Sequence, residues 1–224
     1  MTCKVRAAVF GFAIGLLSVA WLRLETGSGG LAGSLAGYST LIYIGLTITA
    51  AIVFIRIGIP VRDLGFRPKF RPLSHVALAV AGVALLQLNG AVMEPVWEEL
   101  FGVQRDLARF SEIHGSLSTL LAVLALSWLT AAFGEEIAFR VLLLRGITHA
   151  LGRSRGAFLT ALALQAIVFG LVHAYQGPVG VAGTVTSGLV YGSLALLARG
   201  SIWPPALAHG MNNSIGLIAI YLGH

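Results

Sequence analysis

The chain has 224 residues, 57% hydrophobic and only 11% charged, with a mean hydropathy of +0.87. That balance excludes an ordinary soluble domain and describes an integral membrane protein. Lys and Arg number 15 against 9 Asp and Glu, a formal charge of +6, which in this class marks cytoplasmic loops and not a nucleic-acid surface.

Apolar segments run over residues 7–22, 36–55, 75–93, 117–150, 157–173, 181–198 and 203–222. Each is near the length that crosses about 30 Å of hydrocarbon. They predict one all-α membrane domain over residues 1–224, a polytopic bundle of seven transmembrane helices. The first segment lacks an A-x-A cleavage site and is followed by many more, so it is expected to be a retained helix. As one helix, 117–150 would be roughly 50 Å long at ~1.5 Å per residue; it must protrude, kink near Gly134 or divide, and division makes the count eight. The lone cysteine, Cys3, rules out an internal disulfide and a CxxC or four-cysteine zinc site.

Two connections carry information. Residues 56–73 hold Arg56, Arg62, Arg67, Lys69 and Arg71 against Asp63 and predict a cytoplasmic loop. With Lys4 and Arg6 they place the N-terminus in the cytoplasm, and with it the loop holding Arg153 and Arg155. Residues 93–116 are net acidic, and Val96, Trp97, Leu100, Val103, Leu107 and Phe110 recur at helical spacing. That pattern predicts an amphipathic helix on the opposite bilayer surface.

Within this apolar chain, "AAFGEEIAFRVLLLRG" at 131–146 concentrates charge. An ionisable residue in a membrane segment costs at least ~2.5 kcal/mol and marks function by default. Glu136 and Arg140 stand at i and i+4 with the acid first, the favourable order for an ion pair. Glu135 points about 100° away and needs another partner. Counted from Ser154 in the 152–156 turn, Glu135 lies 19 residues back and His173 lies 19 forward. In an antiparallel hairpin the two therefore sit at the same depth. His209 and Asn213, after the helix-starting Pro204 and Pro205, form a second i, i+4 pair on one face, with Asn212 turned aside.

Together these residues suit hydrolysis: Glu135 as general base toward water, His173 orienting that water or sharing its proton, His209 and Asn213 donating to the oxyanion. Glu135, His173 and His209 also match catalytic zinc ligation, and the sequence alone does not choose.

EExxxR (Glu135, Glu136, Arg140), FxxxH (Phe169, His173) and HxxxN (His209, Asn213) stand in this order, each on its own apolar segment. In that the chain resembles the CPBP family, the type II CAAX prenyl endopeptidases and bacteriocin-processing or Abi-like immunity relatives. The similarity covers a motif-bearing core over 117–222, and "DLGFRP" at 63–68 is also similar. The resemblance implies an intramembrane endopeptidase in which Glu135 activates water with help from His173, and His209 and Asn213 complete the site. Glutamate and metal mechanisms both fit the family. The implied substrate is a peptide or membrane protein in the bilayer, prenylated in the best-known cases. Val141 stands where the family often has glycine.

HExxH and GxGD are missing, and Val185 replaces the first glycine of a rhomboid-type GxSG at Ser187. Gly180, Gly183, Gly188 and Gly192 read as helix-packing positions. The competing reading is a non-catalytic immunity or scaffold protein using the same polar cluster structurally; a transporter is a third. On the orientation above, the site lies roughly 25 Å of helix from the Arg153 loop, away from the cytosol, whereas cytosolic prenylated tails would favour the reverse. Arginine outnumbers lysine 13 to 2 beside abundant Gly and Ala, which points to a GC-rich genome and a bacterial or archaeal cell membrane.

Overall fold

A computed structural model describes residues 2–26, 30–58, 65 and 71–223. Its elements in chain order are α1 (Thr2–Leu24), α2 (Gly30–Ala36), α3 (Ser39–Arg56), α4 (Pro72–Phe101), a 3-10 turn (Ala108–Ile113) and α5 (Leu117–Leu126). Two π segments (Ser127–Glu135 and Ile137–Leu144), α6 (Arg145–Ala150) and α7 (Arg155–Leu171) follow. A second 3-10 turn (Ala174–Gln176), α8 (Gly177–Leu197) and α9 (Trp203–Leu222) complete the chain. No strand occurs among the described residues.

Every predicted apolar segment is helical. Five helices are long and apolar enough to span a bilayer: Cys3–Leu24, Ser39–Arg56, Pro72–Phe101, Leu117–Ala150 and Ala174–Leu197. α7 is a shorter apolar helix of 17 residues, and the prolines, histidine and asparagines of α9 dilute its hydropathy. The distribution of side chains is that of a lipid-solvated bundle. Leu73, Leu31 and Leu129 are 79%, 76% and 70% exposed, whereas Arg140 and Glu136 are 1% and 0%. Exposed apolar surface on this scale belongs against lipid, not water.

The segment 117–150 does not divide. It is one helix of 34 residues in which the backbone widens to i→i+5 bonding from Ser127 to Leu144, interrupted only at Glu136. Such widening clusters at functional sites and needs no proline. α9 packs along the first π segment, and the approach is close because residue 210 is glycine: a Cβ there would meet the Trp128 ring at 2.5 Å. Trp128 Nε1 donates to Ser214 Oγ at 3.1 Å across the same seam. α7 and α8 pack closely at Gly188, where an added Cβ would lie 2.9 Å from the Ala166 Cα, in keeping with the small-residue reading.

The amphipathic surface helix expected over 93–116 is not formed. The spacing of Val96, Trp97 and Leu100 instead continues α4 through Pro95 to Phe101. Gly102, at φ 67, then caps α4 with its N–H on the Glu98 carbonyl, and such a left-handed residue ends a helix. Phe110, beyond it, packs on Ile113, Leu120 and Leu217.

Between α8 and α9 the chain re-enters through a tight turn, with Arg199 at φ 53 and Gly200 at φ 83. Ser201 and Ile202 are buried, so the start of α9 is sunk into the bundle. Arg145 donates to the Gly200 carbonyl, and Ile202 N–H donates to Gly65 O at 3.1 Å. Gly65 is the one described residue of the "DLGFRP" stretch. Arg62, Arg67 and Lys69 of the expected basic loop lie outside the described residues.

Candidate active site

The hairpin between α6 and α7 turns where the sequence placed it. Ser154 caps α7, accepting from Ala157 N–H at 3.0 Å. Glu135 and His173 meet as their equal distance from this turn requires, with His173 Nε2 3.8 Å from Glu135 Oε2. Local backbone orients the imidazole. In the last turn of α7 the His173 N–H bonds Gly170 O instead of continuing the ladder, which leaves Phe169 O without its helical donor. His173 Nδ1 takes that place at 2.8 Å. A carbonyl only accepts, so Nδ1 carries the hydrogen and a neutral ring presents a bare Nε2 to Glu135.

Glu136 serves two partners. Its Oε2 lies 3.0 Å from Arg140 Nε, and its Oε1 lies 2.9 Å from His209 Nδ1. The arginine contact is ionic rather than a well-aligned hydrogen bond, and neither Nη of Arg140 has a hydrogen-bond partner. Rings hold the guanidinium instead: its Cζ stands 4.6 Å from the Phe169 centroid, 5.2 Å from Tyr191 and 5.8 Å from Phe139. Cation–π attraction of this kind is strongest where water is excluded. Phe169 is the common plate of the site, since it also meets the His173 ring at 4.9 Å and the His209 ring at 5.9 Å.

His209 bridges the adjacent glutamates. Its Nδ1 faces Glu136 while its Nε2 lies 4.0 Å from Glu135 Oε2, and its ring stacks on Tyr191 at 4.7 Å and 16°. The sunken turn before α9 thus brings His209 to the depth of His173. Asn213 does not join the carboxylate. Its Nδ2 donates to Ser127 Oγ at 3.1 Å, eight residues before Glu135 on the widened helix. Asn212 is held on α4 by Gln87, which donates to it at 2.9 Å.

Glu135 Oε2 is buried without a hydrogen-bond partner and faces two imidazole nitrogens. Glu135 and His173 keep slight exposure, 7% and 9%, where Glu136 has none, so the first pair is the one a water molecule can reach. Among the described residues no group of three His, Cys, Asp or Glu is drawn together in a way that would hold a metal ion. Sequence reasoning missed Ser127, Tyr191 and Gln87. The available signal was faint: each is an isolated polar or half-polar residue within an apolar helix, in lipid a default request for a partner.

Against known proteins, residues 116–215 match the family model of the type II CAAX prenyl endopeptidase Rce1-like proteins. No curated protein and no solved structure matches the chain.

Proposed function

We propose, from the match of residues 116–215 to the type II CAAX prenyl endopeptidase Rce1-like family model, that Glu135 activates the water that cleaves a peptide bond inside the bilayer. The observation that carries this reading is the unpartnered Glu135 Oε2, 3.8 Å and 4.0 Å from the Nε2 atoms of His173 and His209. A water molecule fits between carboxylate and imidazole, giving one hydrogen to each and keeping a lone pair for the substrate carbonyl. Attack forms the C–O bond as one proton passes to Glu135. Collapse breaks the C–N bond, and the amine leaves with the proton Glu135 returns.

The oxyanion assignment is narrower than the sequence implied. Asn213 spends one Nδ2 hydrogen on Ser127, and its second remains for the oxyanion. His209 gives its Nδ1 hydrogen to Glu136, so it donates from Nε2 only as an imidazolium. The substrate is a membrane-associated peptide, with a prenylated tail the family's own example.

The test compares membrane peptides cleaved in cells carrying wild-type protein with those carrying Glu135→Gln. The variant is expected to lose at least roughly 10²–10⁴-fold in rate while staying folded and inserted. Full phenotype in that variant would point instead to a scaffold. Purified protein stripped by a chelator is expected to keep its activity; loss on stripping and return with zinc would assign Glu135, His173 and His209 to a metal.

A further inference from the structure

The oxyanion assignment above leaves the site short of one neutral donor, since Asn213 has a single hydrogen to offer and His209 offers Nε2 only when charged. A donor stands on α3, outside the matched residues 116–215. Tyr43 is only 4% exposed, and its hydroxyl has no hydrogen-bond partner. Thr47, one turn on, is already engaged, its hydroxyl donating to the Tyr43 carbonyl at 2.9 Å. A buried hydroxyl without an acceptor destabilises the fold that holds it, so it asks for an acceptor that arrives from outside the chain.

Helix register places this phenol at the depth of Glu135. The buried face of α3 carries Ser39, Tyr43, Thr47, Ala50 and Phe54. Near the end of α3, Phe54 lies against Gly146, where an added Cβ would meet the ring at 2.9 Å, and α3 also packs on both π segments that precede Gly146. The two helices therefore run in the same direction. Tyr43 stands 11 residues before Phe54, and Glu135 stands 11 residues before Gly146. At ~1.5 Å per residue that is about 16 Å along α3 and somewhat less along the widened helix, so the two side chains start within about one helical turn of each other in depth. The electrostatics agree: Glu135 acts on the phenol more strongly than any other charged group, ahead of Arg23 and Glu136. Arg23 links the phenol to the far side of the pair. Its Cζ lies 5.8 Å from the Tyr43 ring and 6.0 Å from the ring of Tyr175, which stands 5.9 Å from the His173 ring.

We propose that Tyr43 is a further catalytic residue, its hydroxyl donating a hydrogen bond to the oxyanion that forms on the substrate carbonyl as water attacks. The inference rests on Glu135 being the general base. Charge on that oxygen develops only as the C–O bond forms, and a donor held ready in a site without bulk water is worth more there than in solution. A phenol donates while neutral, so no charge has to be desolvated to hold it in place. With the second Asn213 hydrogen it gives the oxyanion two neutral donors.

The test follows cleavage of one fluorogenic membrane peptide by wild-type, Tyr43→Phe and Glu135→Gln protein. Tyr43→Phe is expected to lose roughly 10²–10³-fold in kcat, the cost of one oxyanion donor, with KM unchanged. Its melting temperature is expected to hold or rise, because the hydroxyl makes no hydrogen bond within the folded chain. A lower melting temperature or a collapse in yield would make the hydroxyl structural and overturn the assignment. So would a loss confined to KM, which would mark contact with the uncut peptide alone. Unchanged kcat in Tyr43→Phe, beside an inactive Glu135→Gln, overturns the role of Tyr43 and leaves the base standing. Cleavage that persists in Glu135→Gln overturns the hydrolytic reading itself, and this donor with it.

Discussion

One carboxylate, Glu136, answers both a cation and an imidazole, and this fixes what each neighbouring residue is free to do. Arg140 has its ionic partner there and its hydrophobic housing in Phe139, Phe169 and Tyr191. Removing one partner of such a buried pair leaves the other charge uncompensated, a cost of about 3–5 kcal/mol. Arg140→Ala is therefore expected to depress yield and melting temperature in detergent, and a normal melting curve would contradict the pairing. Helical arithmetic was enough to read Glu136 with Arg140 and Glu135 with His173, because both pairs are set by positions along one helix or one short hairpin. The bond from His209 to Glu136 was not readable. It depends on how deeply α9 is sunk and which face it turns, and those follow from a turn at Arg199 and Gly200 and from contact with Trp128.

The helices themselves were legible from apolar length, but their internal geometry was not. No composition signal announces the i→i+5 bonding of Ser127–Leu144, since an apolar run reads alike at either pitch. The surface helix expected over 93–116 failed for a related reason: its apolar spacing continued α4, and one glycine ended it. α9 offers a direct test of how helix contact serves the site. Gly210→Ala forces a methyl against the Trp128 ring, and overpacking of this kind costs about 1–3 kcal/mol. It is expected to lower both melting temperature and peptide cleavage by moving His209. Gly216→Ala on the same helix meets nothing within 4 Å and should be neutral or stabilising by up to about 1 kcal/mol. Equal effects at the two positions would remove the seam from the account.

For the molecule as a whole, polarity is reversed relative to a soluble fold, with leucine outside and the Glu–Arg–His cluster inside. The charge pattern predicts the Arg153 and Arg155 loop in the cytoplasm and the 3-10 turn Ala174–Gln176 near the other face. In a Cys3→Ser background, Arg155→Cys is expected to react with a membrane-impermeant thiol reagent from the cytosolic side. Leu107→Cys is expected to react from the opposite side. The reverse pattern would open the site toward cytosolic peptides and overturn the orientation.

The two imidazoles differ in their exposure to genetic drift. His173 is aimed by the carbonyl of residue 169, a group the main chain supplies whatever side chain is encoded there. His209 is aimed by a side chain, Glu136, which a single codon change can remove. Half of the alignment proposed for catalysis is thus written into the backbone and passes through mutation at its anchor untouched. The other half must be kept by selection.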